Sequence, residues 1–246
     1  GEAEIALRGT HHDASYYRAS LSRIVEATAD LNSRVEDLLE LAKSNSQHYA
    51  LKLQPTYLSV VVKAALSQIT AVAANRNISI TQTSEVITPE AESAMIYADK
   101  DRLQQVLTIV LENAVRYSES PGKVSIGIRV DIPAGTANIT VTDQGIGLSE
   151  SEALGVFERD FRGEKARQMR PDGAGLGLSI AQAIIISHDG QIDLKNNVVY
   201  RADGSCVESG GVRATIMLPL LQVPATAQIL HNKKHSTQSI AENELA

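Results

Sequence analysis

Aromatic residues and cysteine are scarce in this sequence. Its 246 residues include no tryptophan, only two phenylalanines and a single cysteine, Cys206. The hydrophobic core must therefore be largely aliphatic, and an internal disulfide is excluded, which fits a reducing cytosol. No uninterrupted apolar run reaches the roughly 18 residues that span a bilayer, and the start of the chain lacks a signal-peptide pattern. These features predict a cytoplasmic protein.

An excess of positive charge is also lacking. The formal net charge is -6, which argues against a nucleic-acid-binding surface. No Cys/His cluster indicates zinc, and no GxSxG motif or paired carboxylates indicate a hydrolase. Apolar residues make up 43% and charged residues 21% of the chain, as in ordinary globular proteins. The chain begins at Gly1 without methionine, and we interpret it as a piece of a longer protein.

The N-terminal part, residues 1–48, shows a heptad pattern. Residues 2–9 resemble the end of one helix, and a long helix is predicted over residues 15–42. Its apolar seam is spaced alternately by three and four residues and consists of Leu21, Ile24, Thr28, Leu31, Val35, Leu38 and Ala42. A seam this narrow favours an antiparallel helical hairpin that pairs with a second copy into a dimeric four-helix bundle. The alternative is a helix packed on its own domain.

The rest of the chain predicts an α+β domain over residues 49–220, followed by a mobile tail over residues 221–246. Residues 43–54 read as a linker. Helices are predicted over 58–75, from the cap Asp99 to about Tyr117, and over 176–187. Strands are predicted at 78–81, 96–98, 124–130, 137–142, 191–194 and 213–218, and residues 149–172 are expected to be irregular. The pattern favours an α/β sandwich, a mixed sheet covered by helices on one face.

Two glycine-rich segments carry the strongest functional signal. The first is Asp143-Gln144-Gly145-Ile146-Gly147, and the second is Gly173-Ala174-Gly175-Leu176-Gly177-Leu178. A buried carboxylate at Asp143 can accept the N6 amino hydrogens of adenine, a contact that the O6 atom of guanine cannot make; alternatively Asp143 only caps a turn. Glycines that lead into a helix allow phosphate to approach backbone N–H groups; alternatively they form a flexible loop. The two segments together favour a purine nucleotide site.

An upstream helix adds three candidate ligands. The amide oxygen of Asn113 could bind Mg2+, with phosphate oxygens completing the coordination shell. Arg116 lies on the same predicted helix face and could reach phosphate. Tyr117 either packs against the base or is a half-buried core aromatic.

Cations crowd the segment between the two glycine motifs, namely Arg159, Arg162, Lys165, Arg167 and Arg170. They are either a solvated surface or a mobile lid over a triphosphate, with Arg159 and Arg162 as the best candidates. The pair His11-His12 lies in a predicted loop, where exposed surface histidines are usual.

In this order, the motifs resemble the catalytic core of bacterial sensor histidine kinases. Residues 107–118 are similar to that family's N-box, 143–147 to its first glycine box, 157–163 to its F-box and 173–178 to its second glycine box. The end of the long helix, residues 35–42, is similar to the second helix of its dimerisation and phosphotransfer bundle.

The resemblance implies the ATP-binding sandwich shared with gyrase-type and chaperone ATPases. It implies ATP and Mg2+ as cofactors, autophosphorylation of a histidine, a homodimer and transfer to an aspartate of a response regulator. Leu176 and Leu178 belong to the nucleotide-binding motif. The domain is expected in the cytoplasm, whether or not its parent is anchored in the inner membrane.

Three departures from the family pattern bear on activity. The histidine-bearing H-box normally lies about one helix-length ahead of residues 1–8, so we expect the phosphoacceptor to be absent from this chain. Ile109 replaces an asparagine that helps to bind Mg2+, and gyrase-type ATPases carry a catalytic glutamate there. Asp160 replaces one of two adjacent aromatics in the F-box, which predicts looser lid packing. The alternative function is therefore a degenerate kinase that serves as a scaffold.

Overall fold

The computed structural model describes residues 13–24, 28, 51–83, 93–169, 175–200 and 206–221. Residues 14–24 and residue 28 are helical, in agreement with the start of the predicted long helix. Most of the heptad seam lies outside the described residues, as do His11, His12 and residues 222–246. The helical hairpin, the four-helix bundle and the mobile tail therefore stay predictions.

The described part of the domain alternates strands and helices. In chain order the elements are β1 (Gln54–Tyr57), α1 (Leu58–Asn75), β2 (Ile78–Gln82), β3 (Met95–Ala98), α2 (Lys100–Tyr117), β4 (Gly122–Asp131), β5 (Thr136–Thr142), α3 (Glu150–Gly155), α4 (Glu164–Met169), α5 (Gly177–Ile186), β6 (Gln191–Tyr200) and β7 (Cys206–Pro219). The three helices predicted within residues 49–220 are confirmed as α1, α2 and α5.

The main sheet is mixed, as the sequence predicts. Its five strands lie in the order β2-β4-β5-β7-β6, with β2 parallel to β4 and the other neighbours antiparallel. β1 and β3 form a separate antiparallel pair. Residues on one face of β4 and β5 are buried in alternation, for example Val124 and Ile126 on β4 and Ile139 on β5. This alternation commits one face of the sheet to the core.

Helices α1, α2 and α5 cover that face, with α2 between the other two. The buried residues of α2 recur at intervals of three and four, as in Leu103, Val106, Leu107, Val110 and Leu111, because this spacing keeps them on one side of a helix. α1 has the length and composition of a membrane span, with 18 residues and a mean hydropathy of 1.4. Its residues Leu58, Val61 and Ile69 are nevertheless fully buried in the aliphatic core.

Several predicted boundaries are wrong. The linker predicted over residues 43–54 overlaps β1 at Gln54, and the strand itself was not predicted; its Pro55 is tolerated because β1 is an edge strand. β6 and β7 extend beyond the predicted strands and pair along most of their length. The segment 149–172 contains α3 and α4 rather than being irregular throughout. A capping box at Ser149 and Glu152 starts α3, and this signal is visible in the sequence.

Asp99 connects three segments of the chain by hydrogen bonds. Its Oδ1 accepts a hydrogen bond from the Arg102 N–H at 3.3 Å and caps α2, and its Oδ2 accepts one from the Lys52 N–H at 3.0 Å. The Asp99 N–H donates to Nε2 of buried His188 at 3.0 Å, and Nδ1 of that ring lies 2.8 Å from the Ile184 carbonyl on α5. Burial opposes ionisation of Asp99, but the surrounding N–H donors outweigh it and hold the pKa below its ordinary value.

Replacing Asp99 by alanine is expected to lower the free energy of unfolding by about 1–2 kcal/mol, because α2 loses its cap and Lys52 loses its acceptor. The measurement is denaturant unfolding followed by circular dichroism. Asp101→Ala is the control, since Asp101 lies in the first turn of α2 without capping it. Equal losses in the two variants would contradict the role of Asp99.

Candidate functional site

A cavity of about 260 Å3 opens between the C-terminal half of α2, the loop after β5, the start of α5 and the segment from α3 to α4 (residues 150–169), called the α3–α4 segment below. Many of the residues predicted from the sequence line it: Asn113, Arg116, Tyr117, Asp143, Gly147, Arg162, Gly175, Leu176, Gly177 and Leu178. Sequence motifs that are far apart along the chain are thus brought to one site.

Two predicted residues that the structure describes, Gly145 and Arg159, are not among the residues that line this cavity. Gly145 supports Asp143 instead, through its backbone N–H. Arg159 is exposed and is not among the residues that line the cavity, so its role as a lid cation stays a prediction. Gly173 lies outside the described residues.

Asp143 is the buried polar centre of the site, with 7% of its surface exposed. Its Oδ1 accepts hydrogen bonds from the N–H groups of Gly145 and Val212, both at 2.9 Å. Within the described residues no donor reaches Oδ2, so this oxygen is available to a ligand in the cavity. Burial raises the pKa of Asp143, and the two N–H donors offset that effect only in part.

Gly211 on β7 makes room for this carboxylate, and its neighbour Gly210 lies next to the Gly145 carbonyl. Both have positive φ, and a Cβ on Gly211 would lie 2.8 Å from Asp143 Oδ1 and still closer to the Asp143 backbone. Only glycine fits this approach. This pair is not predicted above, although adjacent glycines within a strand pattern indicate a bulge or a close backbone contact.

The end of α2 is attached to the loop that carries Asp143. The Ile146 N–H donates to the Tyr117 carbonyl at 3.3 Å, and Ser118 forms a bridge with Gly145. One turn earlier, Arg116 and Glu112 form an ion pair at 3.7 Å, and both side chains border the cavity. Tyr117 is half-buried there, so both interpretations made from the sequence stay compatible with its position.

The other end of the cavity is formed by the N-terminus of α5. Its N-cap, Leu176, makes no side-chain capping hydrogen bond. The first N–H groups of the helix are therefore suited to receive an anion. Ile109 packs directly against this helix start, since a Cβ on Gly177 would lie 3.2 Å from Ile109 Cγ2. An aliphatic side chain thus stands beside the predicted phosphate position.

The oxygen ligands near this end limit how a metal could be held. No group of three or more His, Cys, Asp or Glu residues is arranged for a metal in the described ranges. α2 presents the Asn113 amide and the Glu112 carboxylate to the cavity. Such a set fits a Mg2+ ion that takes most of its ligands from phosphate and water.

The α3–α4 segment closes one side of the cavity and is organised by Glu152. Its Oε2 accepts from the Ser149 N–H at 2.7 Å and its Oε1 from the Glu164 N–H at 2.8 Å, so one carboxylate caps both helices. The Ser149 N–H in particular holds the pKa of Glu152 below its ordinary value. Of the predicted lid cations, Arg162 and Lys165 border the cavity, and Lys165 Nζ donates to the Ile146 carbonyl at 3.3 Å.

Replacing Glu152 by alanine is expected to accelerate amide hydrogen exchange across residues 150–169 by about five- to tenfold, because both helix caps are lost. Glu150→Ala, in the same helical turn, is the control and should change exchange much less. Because the pKa is lowered in the folded state, the contribution of Glu152 is present above its ordinary value of 4.5 and is lost as the pH falls below it. Exchange that is identical in both variants would contradict this capping role.

The F-box departure is accommodated locally. Asp160 is exposed and has a φ of 60°, a conformation that aspartate tolerates better than an aromatic residue does. The next residue, Phe161, still packs inward, because a Cβ on Gly155 would lie 3.1 Å from its ring. Looser lid packing caused by Asp160 stays a prediction.

Comparison with known proteins agrees with this geometry. The sequence pattern of the family described as "Histidine kinase-, DNA gyrase B-, and HSP90-like ATPase" matches residues 98–222, just over half of the chain. The chain belongs to this ATPase family. The family match confirms the resemblance noted in the sequence, and the domain is of the type that binds ATP.

The chain is similar to sensor histidine kinases. Sensor histidine kinase YkoH of Bacillus subtilis is 33% identical over 72% of this chain and 36% of its own length. The solved structure of a mycobacterial sensor histidine kinase, MprB, is 27% identical, with a TM-score of 0.56 over 69% of this chain and all of that chain. ThkA in complex with the response regulator TrrA has a TM-score of 0.65 over 89% of this chain and 57% of that chain, but at 19% identity it supports the fold alone. The chain spans little more than a third of the length of YkoH.

Proposed function

We propose that this chain is the ATP-binding catalytic core of a two-component sensor histidine kinase. The observation that carries the proposal is the environment of the Asp143 carboxylate. One of its oxygens is fixed by Gly145 and Val212, and the other is left for a ligand in a cavity that ends at an uncapped helix N-terminus. In this proposal Asp143 Oδ2 accepts a hydrogen bond from the adenine amino group, which distinguishes ATP from GTP.

The phosphates are assigned to the opposite end of the cavity. The N–H groups of the first turn of α5 bind phosphate oxygens, and Arg116, Arg162 and Lys165 supply positive charge around them. Asn113, assisted by Glu112, is the proposed protein ligand of Mg2+. The ion, when bound, would neutralise charge on the β- and γ-phosphates. The role of the protein is to position the γ-phosphorus and to limit access of water to it.

The phosphoryl acceptor is proposed to be a histidine N-terminal to residue 1. An imidazole nitrogen attacks the γ-phosphorus, a P–N bond forms, the bond to the bridging oxygen breaks and ADP leaves. His188 is the histidine that the described ranges contain, and it is unsuited to this role. It is 4% exposed, and both of its ring nitrogens are engaged by backbone groups.

The remaining assignments extend the family resemblance. Residues 1–48 are proposed to dimerise through their helices, residues 49–220 to bind ATP, and residues 221–246 to form a tail. The phosphoryl group is proposed to pass from histidine to an aspartate of a response-regulator receiver domain. The catalytic domain is placed in the cytoplasm.

The test is transfer of 32P from [γ-32P]ATP to the protein carrying its N-terminal extension, in the presence of Mg2+. Label that is acid-labile and stable to base, as phosphohistidine is, is expected in the unaltered protein and should be absent from the Asp143→Asn variant. Label that persists in that variant would contradict the assignment of Asp143.

A second candidate is a scaffold that binds partners through its helices and has weak or no catalysis. The observation that favours it is Ile109, an aliphatic residue packed against the start of α5 next to the proposed phosphate site. Nucleotide binding without any phosphotransfer in the extended protein would favour this function over the kinase.

A further inference from the structure

A side chain on β6 holds the loop that follows Asp143. The Asn196 Nδ2 donates to the Leu148 carbonyl at 2.7 Å, and the Asn196 Oδ1 accepts from the Leu148 N–H at 2.8 Å. Both backbone groups of one loop residue are thereby satisfied by one amide that lies 48 residues away in sequence. Two short hydrogen bonds with opposite polarity fix the loop in position and in orientation.

The position of Asn196 is set by the strand that also fixes Asp143. Asn196 is paired with Val212 on β7, and the Val212 N–H donates to Asp143 Oδ1. The β6–β7 register shifts directly afterwards, between Asn196 and Val198. On the loop side, Gly147 has a φ of 68°, and a Cβ there would lie 3.2 Å from the Asn196 Oδ1. The loop therefore approaches the amide closely at this point.

Leu148 also lies just before the α3–α4 segment. The next residue, Ser149, caps α3 and is bound by Glu152, which in turn accepts from the Glu164 N–H on α4. Two of the cations at the cavity wall, Arg162 and Lys165, belong to this segment. Asp143 is fixed by Gly145 and Val212 without using the Asn196 side chain.

We propose that Asn196 is a positioning residue for the phosphate half of the nucleotide site. Its amide sets the loop at Leu148 and, through it, the segment that carries Arg162 and Lys165. The adenine half, centred on Asp143, does not depend on it. This inference rests on the proposed nucleotide function. It predicts weaker binding of the phosphates with little change in adenosine binding, whereas a general loss of structure would weaken both equally.

The test uses Asn196→Asp and Asn196→Ala in the full chain. Aspartate keeps the shape and the acceptor but loses the donor, whereas alanine loses both hydrogen bonds without adding charge. Asn197→Asp is the control for added charge at the neighbouring position, where the Asn197 Oδ1 accepts from Arg213 on β7. Dissociation constants for ATP and for adenosine are measured by NMR titration of 15N-labelled protein.

Both Asn196 variants are expected to weaken ATP binding by about tenfold and adenosine binding by less than about twofold, because hydrogen bonds that act on the phosphate half are lost. Asn197→Asp should change neither ligand by more than about twofold. Equal weakening of ATP and adenosine would overturn the proposal, since it would indicate a general structural role. Unchanged ATP binding in both Asn196 variants would overturn it as well.

Amide exchange in the nucleotide-free chain provides an independent measurement. Asn196→Ala should accelerate exchange at Leu148 and over residues 149–169, whereas Asn197→Ala should not. If the unaltered chain binds neither ATP nor adenosine, the proposed function fails, and the exchange result alone then decides whether Asn196 holds the α3–α4 segment. Unchanged exchange in Asn196→Ala would overturn that part.

Discussion

Replacing Asp143 by asparagine is expected to weaken ATP binding by at least about a hundredfold without unfolding the domain. The amide oxygen can keep the hydrogen bonds from the Gly145 and Val212 N–H groups, but its NH2 group then faces the adenine amino group. Two donors would oppose each other where a carboxylate now offers an acceptor. A mismatched polar contact of this kind in a buried site costs roughly 3 kcal/mol.

The stability of Asp143→Asn distinguishes this loss from unfolding. The pKa of Asp143 is raised in the folded state, so between 3.8 and the folded pKa the folded protein binds more protons than the unfolded protein. Stability contributed by this group therefore falls as the pH rises through that window, because ionising the buried carboxyl in the folded protein is unfavourable. Asparagine removes the charge, and we expect the free energy of unfolding at pH 7 to be unchanged or higher.

A matched control for this variant is Asp131→Asn. Asp131 ends β4 and accepts from the Ala134 N–H in the hairpin turn, away from the cavity. ATP affinity should be unaffected by this change when measured by calorimetry. If Asp143→Asn binds ATP as well as the unaltered chain does, the adenine assignment is wrong.

Replacing Ile109 by asparagine is expected to strengthen Mg2+-ATP binding by about tenfold and to leave metal-free ATP binding within about twofold. Ile109 lies one helical turn before Asn113 and against the start of α5. An amide at this position adds an oxygen beside the proposed metal ligand and can also orient a metal-bound water. The side chain is only half-buried, so the exchange of an apolar for a polar group is tolerated there.

The measurement for Ile109→Asn is calorimetric titration of ATP in Mg2+ and in EDTA. Ile109→Leu is the control because it keeps the apolar character and the volume. A gain confined to Ile109→Asn in Mg2+ would show that Ile109 weakens metal use in this chain and would favour the scaffold. No difference between the variants would mean that Asn113 and the phosphates already satisfy the ion.

Local patterns predicted much of the fold. The apolar spacing of three and four residues identified α1, α2 and α5, and Asp99 was correctly expected to cap α2. The two glycine motifs pointed to the cavity because an aspartate followed by two glycine-rich segments is typical of a nucleotide site. Such signals can be read from the sequence because each depends on residues within one or two turns of one another.

Long-range contacts could not be predicted in this way. The Asn196 amide reaches Leu148 across the sheet, and only the strand pairing and the register shift after Asn196 place it there. The close approach of Gly211 to Asp143 depends in the same manner on the pairing of β7 with β5. By contrast, the capping box at Ser149 is local, and α3 could have been predicted from it.

The most direct test of the central claim is calorimetric titration of the folded chain with ATP and with GTP, each in Mg2+. If Asp143 accepts a hydrogen bond from the adenine amino group, ATP binds one-to-one with a dissociation constant on the order of micromolar. GTP then binds at least about a hundredfold more weakly. Equal binding of both nucleotides would contradict the role of Asp143. The absence of ATP binding in a chain shown by NMR to be folded would contradict the nucleotide site itself.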